Sequence, residues 1–218
     1  IGQLRIGRMQ QSWVRSIHNG VSEGFFPPPD QPSDGARKRS ILYVGRAGPY
    51  KNLTGLIRAF ARLRELCPAP VVLQVAGSPD SRYPEAPSLA RELGVEEGIE
   101  WLGYLSDDDL RKAYQDADAL AHPSLYEGFG LQVLEAMACG TPVVCSDRGS
   151  LPEVAGDAAL LVDPENTESL AQALLVVLTQ PQVADGLVAR GLDRAAEFTW
   201  ERTARQTLAV FHEVNEKE

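Results

Sequence analysis

Two basic side chains lie in a glycine-containing stretch between a short apolar run and a helical pattern. The stretch is GRAGPYKN, residues 45–52, and its cations are Arg46 and Lys51. Its glycines, Gly45 and Gly48, let the backbone approach a ligand closely. A cation at a helix N-terminus opposes the helix dipole unless an anion lies beside it, so the placement favours phosphate binding. Two solvated side chains on a loop remain the alternative, because the stretch matches neither the G-x-G-x-x-G fingerprint nor a P-loop.

A second candidate site lies where a later apolar run gives way to a helix. The sequence there is YEGFGLQVLE, residues 126–135, with carboxylates at Glu127 and Glu135. Because helical side chains lean toward the N-terminus, we expect both carboxylates to approach one ligand, and paired carboxylates suit sugar hydroxyls better than phosphate. Free backbone N–H donors at the helix start would cradle phosphate; they belong to Phe129, Gly130 and Leu131. In the alternative interpretation, Glu127 only offsets the helix dipole and Glu135 lies on the surface.

Strand-like and helix-like segments alternate along residues 41–216. Short apolar runs predict strands at 41–45, 71–77, 99–103, 119–124, 142–146 and 158–162. Helical patterns follow at 53–66, with Asn52 as N-cap, and at 87–94, 106–115, 131–140, 166–179, 183–196 and 200–216. This alternation predicts a single Rossmann-like α/β domain, a parallel sheet with helices on both faces. Ligands bind such sheets at the carboxyl ends of the strands, here 45–52, 77–82, 103–106, 122–131 and 146–153.

The composition excludes several classes of function. The 218 residues carry 21 basic and 30 acidic side chains, a net charge of −9, which argues against a nucleic-acid-binding protein. Apolar residues make up 44%, enough for a sizeable core, and no apolar run is long enough for a membrane span. Three cysteines and a start without an apolar leader segment favour a location in the reducing cytoplasm.

A proline-rich segment at residues 27–40 divides the chain into two parts. PPPDQPSDGARKRS has neither helical nor strand periodicity and predicts an exposed connector. We therefore expect a lead-in or linker at 1–39 and a Rossmann-like, ligand-binding domain at 40–218 that ends in C-terminal helices. Because the first residue is Ile1 rather than Met, we expect the chain to begin within a longer protein.

Several other polar residues are better explained by structure than by chemistry. Ser106, followed by three aspartates, predicts a helix cap rather than a metal site. We expect His122 to be a partly buried, hydrogen-bonded histidine rather than a ligand contact. Cys139 and Cys145 are expected to pack as small apolar residues. Glu153 fits either a contact in a base or sugar pocket or the start of a short helix.

The whole of residues 41–216 resembles the carboxy-terminal donor-binding domain of glycosyltransferase family 4 (glycosyl transferases group 1), retaining enzymes of the GT-B fold. The family's E-x7-E element matches Glu127 and Glu135, and its G-R-x-x-x-x-K-N loop matches residues 45–52. Further motifs occur in the expected order: VAGSPD (75–80), GYLSDDDL (103–110), YQDADALAHPS (114–124) and DRGSLPEVAG (147–156). HNGVSEGFFPP (18–28) is similar to the family's interdomain segment, with Ser22 in place of the usual aspartate.

This resemblance implies a role for each residue of the two candidate sites. Arg46 and Lys51, beside Gly45, would contact the donor diphosphate and stabilise the departing nucleotide. Glu127 would bind hydroxyls of the transferred sugar, and Glu135 would hold the nucleotide ribose. Backbone N–H bonds to phosphate would come from Gly128, Phe129, Gly130 and Leu131. The resemblance thus implies Arg46, Lys51 and Glu127 as catalytic residues, with no metal ion and no cofactor.

The same resemblance implies that the chain is the donor-binding half of a retaining glycosyltransferase of the hexosyltransferase type. It would move a sugar from a UDP- or GDP-sugar to an acceptor on an N-terminal domain, which 39 residues are too few to form. We expect the isolated chain to be inactive or weakly active, and peripheral membrane contact to come through the missing domain.

Two further expectations concern partners and alternatives. The apolar face of the last helix would be exposed without that domain and would favour self-association; it comprises Leu208, Phe211 and Val214. The alternative function is a non-catalytic nucleotide-binding or interaction module that completes a site with a partner chain. The missing G-x-G-x-x-G disfavours a third class, a dinucleotide-dependent oxidoreductase.

Overall fold

A six-stranded parallel sheet forms the centre of the protein. The computed structural model describes residues 14–28, 38–46, 48–78 and 81–215. The strands are β1 Arg39–Val44, β2 Val71–Ala76, β3 Ile99–Gly103, β4 Ala119–His122, β5 Val143–Ser146 and β6 Ala159–Val162. They lie in the order β3-β2-β1-β4-β5-β6, and every neighbouring pair is parallel. Each strand overlaps one of the predicted apolar runs, and the Rossmann-like fold is confirmed.

Helices cover both faces of this sheet. In the part of the chain that the structure describes they are α1 Leu53–Leu66, α2 Glu85–Glu92, α3 Asp107–Asp116, α4 Leu131–Ala138, α5 Leu151–Ala155, α6 Thr167–Thr179, α7 Pro181–Ala196 and α8 Trp200–Asn215. All seven predicted helices are present, and α5 is an additional short one. The predicted cap at Ser106 is confirmed, because its hydroxyl accepts the Asp109 N–H at 3.2 Å.

Two apolar layers form the core, one on each face of the sheet. Along β1, Ile41 and Tyr43 face the layer formed with α1, α2 and α6, whereas Leu42 faces the layer formed with α3, α4 and α5. The strands are therefore apolar at successive positions, as expected for a sheet covered on both sides. Cys139 and Cys145 lie in the second layer, where burial raises the pKa of each thiol to about 12, so both pack as small apolar residues as predicted.

The order of the strands reverses between β1 and β4. From β1 the chain proceeds outward through β2 to β3, then returns to β4 on the other side of β1. In open parallel sheets a crevice opens at the carboxyl ends of such a strand pair. The loops that follow β1 and β4 contain the two candidate sites, so this topology brings them together. The sequence predicted the strands but not their order.

The described part of the lead-in packs against the domain. The Val21 N–H donates to the Phe198 carbonyl at 2.9 Å, and the Phe25 ring lies edge-on to Tyr114, with 5.8 Å between ring centroids. Residues 29–37, most of the predicted connector, lie outside the described residues. The division into 1–39 and 40–218 stays a prediction.

The seam between the lead-in and α8 depends on Gly20. A Cβ atom at this position would lie 2.2 Å from the backbone nitrogen of Trp200. Relieving this clash would require the backbone itself to shift. We predict that Gly20→Ala lowers the free energy of unfolding by about 1–3 kcal/mol. Urea denaturation would measure this, with Gly24→Ala as the matched control, because a Cβ there meets only the Ser22 Oγ at 3.5 Å. Equal stability of the two variants would contradict the close approach.

Helix α8 exposes an apolar face. Leu208, Phe211 and Val214 are each more than half exposed, and no residue of the helix is buried. This confirms the expected exposure, while self-association stays a prediction. No helix among the described residues is long and apolar enough to cross a bilayer.

Candidate functional site

A hollow of about 400 Å³ opens at the carboxyl edge of the sheet. Five segments line it: the ends of β1 and β2 with the loops that follow them, the loop after β3, one residue of α3, and the first turn of α4. The lining residues are Val44, Gly45, Arg46, Tyr50, Lys51, Ala76, Gly77, Ser78, Tyr104, Leu105, Leu110 and Gln132. Arg46 and Lys51 therefore share one hollow with the start of α4, which is the convergence that the sequence led us to expect.

Hydrogen bonds beyond the strand ends hold the loops of this hollow together. The Gly45 N–H donates to the Ala76 carbonyl at 2.9 Å, and the Gly77 N–H donates to the Gly103 carbonyl at 2.7 Å. The hydroxyl of the fully buried Tyr43 donates to the Arg46 carbonyl at 3.1 Å. These bonds tie the loops after β1, β2 and β3 into one rim, so the backbone that carries Arg46 is fixed.

A buried ion pair joins the two candidate sites. Lys51 Nζ lies 2.5 Å from Glu127 Oε1, and both side chains are only about one-tenth exposed. The same oxygen also accepts hydrogen bonds from Ser124 Oγ at 2.8 Å and from His122 Nε2 at 3.0 Å. Burial opposes ionisation of Glu127, but the bonds from His122 and Lys51 outweigh it and lower the carboxyl pKa to about 2. Glu127 is therefore an ionised acceptor paired with Lys51, which lines the hollow, although Glu127 itself is not among the lining residues.

His122 is more deeply enclosed than the sequence suggested. It ends β4 with no exposed surface, and among the described residues its Nδ1 has no hydrogen-bond partner. Burial disfavours the charged ring and lowers the pKa of His122, so the imidazole is neutral and donates from Nε2 to Glu127. We expected a partly buried, hydrogen-bonded histidine. The burial was underestimated, and the hydrogen bonding is confirmed for Nε2 but not for Nδ1.

Asn52 connects the loops of the site instead of capping α1. It occupies the N-cap position in the left-handed region (φ 56°), where its side chain makes no capping bond. Instead Nδ2 donates to the carbonyls of Pro123 at 3.2 Å and Pro164 at 2.7 Å, which follow β4 and β6. The predicted N-cap position is confirmed, but the side chain does not cap the helix: the two carbonyls fix the orientation of the amide, and its Oδ1 accepts no helix N–H.

We predict that Asn52→Gly lowers the free energy of unfolding by about 1–3 kcal/mol, because two carbonyls lose their donor. Glycine keeps the left-handed backbone without strain, so the loss reports the two hydrogen bonds together with the smaller entropic cost of a glycine in the unfolded chain. Asn52→Ala should be less stable still, since alanine resists φ 56°. Chemical denaturation of the three proteins tests this order. Wild-type stability in Asn52→Gly would show that the two bonds contribute nothing.

The turn before α4 is shaped by Gly130 and Ser150. Gly130 has φ 104°, and a Cβ there would lie 2.6 Å from Leu151 Cδ2, so only glycine fits. The Ser150 hydroxyl contacts the carbonyls of Glu127 at 3.0 Å and Phe129 at 2.8 Å. Among the described residues, the N–H groups of Phe129 and Gly130 donate no hydrogen bond. Their predicted contact with phosphate, and those of Gly128 and Leu131, stay predictions.

Glu135 has a different hydrogen-bond partner from those of Glu127. Its Oε2 accepts a hydrogen bond at 2.8 Å from the hydroxyl of Tyr114, a fully buried side chain, and burial raises the Glu135 pKa. Glu135 is not among the residues that line the hollow, whereas Gln132, one turn earlier in α4, is. Glu127 is not among those lining residues either, so the expectation that both carboxylates approach one ligand and the ribose role of Glu135 both stay predictions.

Several lining residues were not singled out from the sequence. Ser78 and Tyr104 fall in the strand-end segments 77–82 and 103–106, which were expected to bind ligand without any particular residue being named. Tyr50 lies within the first candidate stretch. Gln132 could have been found from its position in the first turn of a helix that starts at a strand end.

Glu153 contacts the lead-in and is not one of the residues lining the hollow. It lies in α5, and its Oε1 is 2.7 Å from His18 Nε2. The His18 ring lies 5.9 Å from that of Phe129, between ring centroids, so the lead-in reaches the turn before α4. Of the two interpretations open for Glu153, the structure supports the short helix.

Metal-ligating side chains do not gather at this edge. Among the described residues, no three His, Cys, Asp or Glu side chains cluster closely enough to hold a metal ion. Positive charge in the hollow comes from Arg46 and Lys51. That the site works without a metal or a cofactor stays a prediction.

A parallel sheet with this strand order and a hollow at its switch point define a Rossmann-like domain. The chain belongs to the family of glycosyl transferases group 1, whose model matches residues 30–193. It is similar to the O-antigen chain mannosyltransferase B of Escherichia coli, with 39% identity over 182 residues, 78% of this chain and 45% of that protein. The resemblance stated from the sequence motifs is thereby confirmed.

Solved structures agree with this assignment. Sucrose-phosphate synthase from Thermosynechococcus elongatus superposes with a TM-score of 0.82 and 29% identity, covering 94% of this chain and 53% of that one. HepE from Anabaena, in complex with UDP and glucose, superposes with a TM-score of 0.79 and 24% identity, covering 90% and 56%. The chain spans about half the length of the curated relatives it matches.

Proposed function

We propose that the chain is the donor-binding half of a retaining glycosyltransferase that uses a UDP- or GDP-sugar. The observation that carries the proposal is that Arg46, Lys51 and the first turn of α4 share one hollow at the switch point, beside the carboxylate of Glu127. Two cations at a strand end and a helix start suit a diphosphate, and a fixed carboxylate suits sugar hydroxyls.

The geometry supports a division of labour along the donor. Negative charge develops on the leaving phosphate as the glycosidic bond breaks, and Arg46 and Lys51 would stabilise it from fixed positions. Glu127 would accept a hydroxyl of the transferred sugar. Ser78, Tyr104 and Leu105 form the side of the hollow farthest along the sheet from β4, where the nucleoside would lie. Positive charge from side chains would make a divalent metal unnecessary.

The acceptor is proposed to bind outside this chain. HepE, with a similar fold, was solved with UDP and glucose, and the relatives are about twice as long as this chain. A further domain, on the same polypeptide or on a partner chain, would supply the acceptor site and close over the hollow. We therefore propose cytoplasmic donor binding by this half, with weak or no turnover when it is alone.

Titration calorimetry tests the proposal directly. The 218-residue chain should bind UDP or GDP more tightly than the matching monophosphate, and addition of EDTA or Mg²⁺ should leave the Kd unchanged. ADP serves as a control for non-specific diphosphate binding. Absence of heat with UDP, GDP, UDP-glucose and GDP-mannose, on protein shown to be folded by circular dichroism, would contradict the proposal. A strict requirement for Mg²⁺ would contradict its metal-free part.

A further inference from the structure

His122 occupies a position where the fold gives an imidazole little support. It is the last residue of β4, whose four residues are all buried, and it pairs in register with Cys145 of β5. Its Nδ1 is buried without a hydrogen-bond partner among the described residues. A buried polar atom without a partner destabilises a fold, so an apolar side chain would serve the strand better. The short contact that its ring makes is the one from Nε2 to Glu127 Oε1.

The hydrogen bonds to the Glu127 carboxylate all end on one of its two oxygens. Oε1 accepts from Lys51, Ser124 and His122, whereas Oε2 accepts from none of the described residues and is not closed off from solvent. The carboxylate is thus held through Oε1, and Oε2 is available to accept a hydrogen bond from a ligand. A carboxylate held in this way has one fixed orientation, which binding of a hydroxyl requires.

Lys51 has two possible partners, Glu127 and the proposed diphosphate, so the neutral hydrogen-bond donors to Glu127 become important. In the structure its ammonium pairs with Glu127, but the proposed function requires it to contact a diphosphate. When the ammonium turns toward phosphate, Oε1 loses its cation and keeps only the hydroxyl of Ser124 and the imidazole of His122. Both are buried on the β4 side and do not line the hollow, so neither competes for the ligand.

We propose that His122, assisted by Ser124, is a positioning residue that holds Glu127 by Oε1 so that Oε2 meets a hydroxyl of the transferred sugar. This inference rests on the proposed function, because it needs a nucleotide-sugar in the hollow. The proposal predicts a selective effect: His122 and Ser124 contribute to binding of the sugar but not to binding of the nucleotide.

A pair of amide substitutions tests which ring nitrogen matters. The side-chain nitrogen of glutamine can take the place of Nε2, whereas that of asparagine lies near Nδ1. His122→Asn should therefore raise the ratio of the nucleotide-sugar Kd to the nucleotide Kd by about fivefold to tenfold, the value of one hydrogen bond. His122→Gln should restore most of the wild-type ratio, and Ser124→Ala should raise it as His122→Asn does. The Kd for the nucleotide alone should change less than twofold in all three.

The probes are UDP with UDP-glucose and GDP with GDP-mannose, and the pair that the wild type binds more tightly is used. His212→Asn is the matched control, since His212 is exposed on α8. An unchanged ratio in folded His122→Asn and Ser124→Ala, or equal losses in the Asn and Gln variants, would overturn the positioning role while leaving the proposed function standing. A wild type that binds no nucleotide would overturn both.

A measurement on the unaltered site removes dependence on the folding of variants. The chain has three histidines, so ring ¹⁵N spectra can be assigned by replacing the exposed His212 and the half-exposed His18. His122 should show the neutral tautomer protonated at Nε2, both free and with the nucleotide-sugar bound. A neutral ring protonated at Nδ1 would contradict the hydrogen bond to Glu127 and with it the proposal.

Discussion

Lys51→Met should raise the Kd for UDP or GDP by about 10–100-fold, the value of one charge-assisted hydrogen bond, while binding of the nucleoside alone stays unchanged. Methionine keeps most of the aliphatic stem of Lys51, a residue that lines the hollow, and removes its ammonium. Calorimetric titration with the diphosphate, the monophosphate and the nucleoside separates the loss by phosphate number. The loss of affinity should be smallest for the nucleoside, larger for the monophosphate and largest for the diphosphate.

The same substitution should also destabilise the fold, because it leaves the carboxylate of Glu127 buried without a cation. Removing one partner of a buried pair costs up to about 3–5 kcal/mol, and here His122 and Ser124 still hold Glu127, so we expect about 1–3 kcal/mol. Lys112→Ala, on the exposed side of α3, is the control for loss of a positive charge. Equal losses for nucleoside and diphosphate in Lys51→Met would contradict a phosphate contact.

Acid should selectively remove the stabilisation that Glu127 provides. The pKa of its carboxyl is lowered from 4.5 to about 2 in the folded protein, so the ionised form stabilises the fold above pH 4.5. This contribution is lost as the pH falls from about 4.5 toward 2. At about 1.4 kcal/mol per pH unit, the difference between 4.5 and about 2 is worth about 3 kcal/mol.

Comparison with Glu127→Gln separates this effect from that of titrating groups that do not contact Glu127. At pH 7 the wild type should be the more stable protein, and the gap between the two free energies of unfolding should close between pH 4.5 and pH 2. Burial lowers the pKa of His122 and Glu127 opposes that lowering, so titration of His122 is part of the gap and does not cancel between the two proteins. Glu201→Gln, in an exposed pair with Arg205, should track the wild type at every pH. A gap that stays constant into acid would show that Glu127 is not held as an ionised acceptor.

The fold was largely predictable from the sequence, because local signals specify it. The run at 71–77 is apolar and ends in glycine, and the helix at 53–66 places its apolar residues on one face. Both became the elements expected, β2 and α1. The short helix α5 was only one of two interpretations, because five residues that include Pro152 give little helical periodicity.

The site was predictable as two segments but not as a set of contacts. Motif order placed Arg46, Lys51 and Glu127 in one site, and the switch point between β1 and β4 brings their loops together. The hydrogen bond from His122 to Glu127 could not be predicted, because it depends on the tertiary structure and not on a local sequence pattern. The turn of Glu135 toward Tyr114 likewise follows from how α3 packs beside α4.

A crystal structure of this chain with UDP or GDP bound tests most directly the claim that one hollow holds a diphosphate. The account predicts phosphate oxygens within hydrogen-bond distance of Lys51 Nζ and Arg46, and facing the start of α4, with Lys51 withdrawn from Glu127. A nucleotide bound elsewhere, or bound with its phosphates away from both cations while Lys51 stays paired, would contradict it.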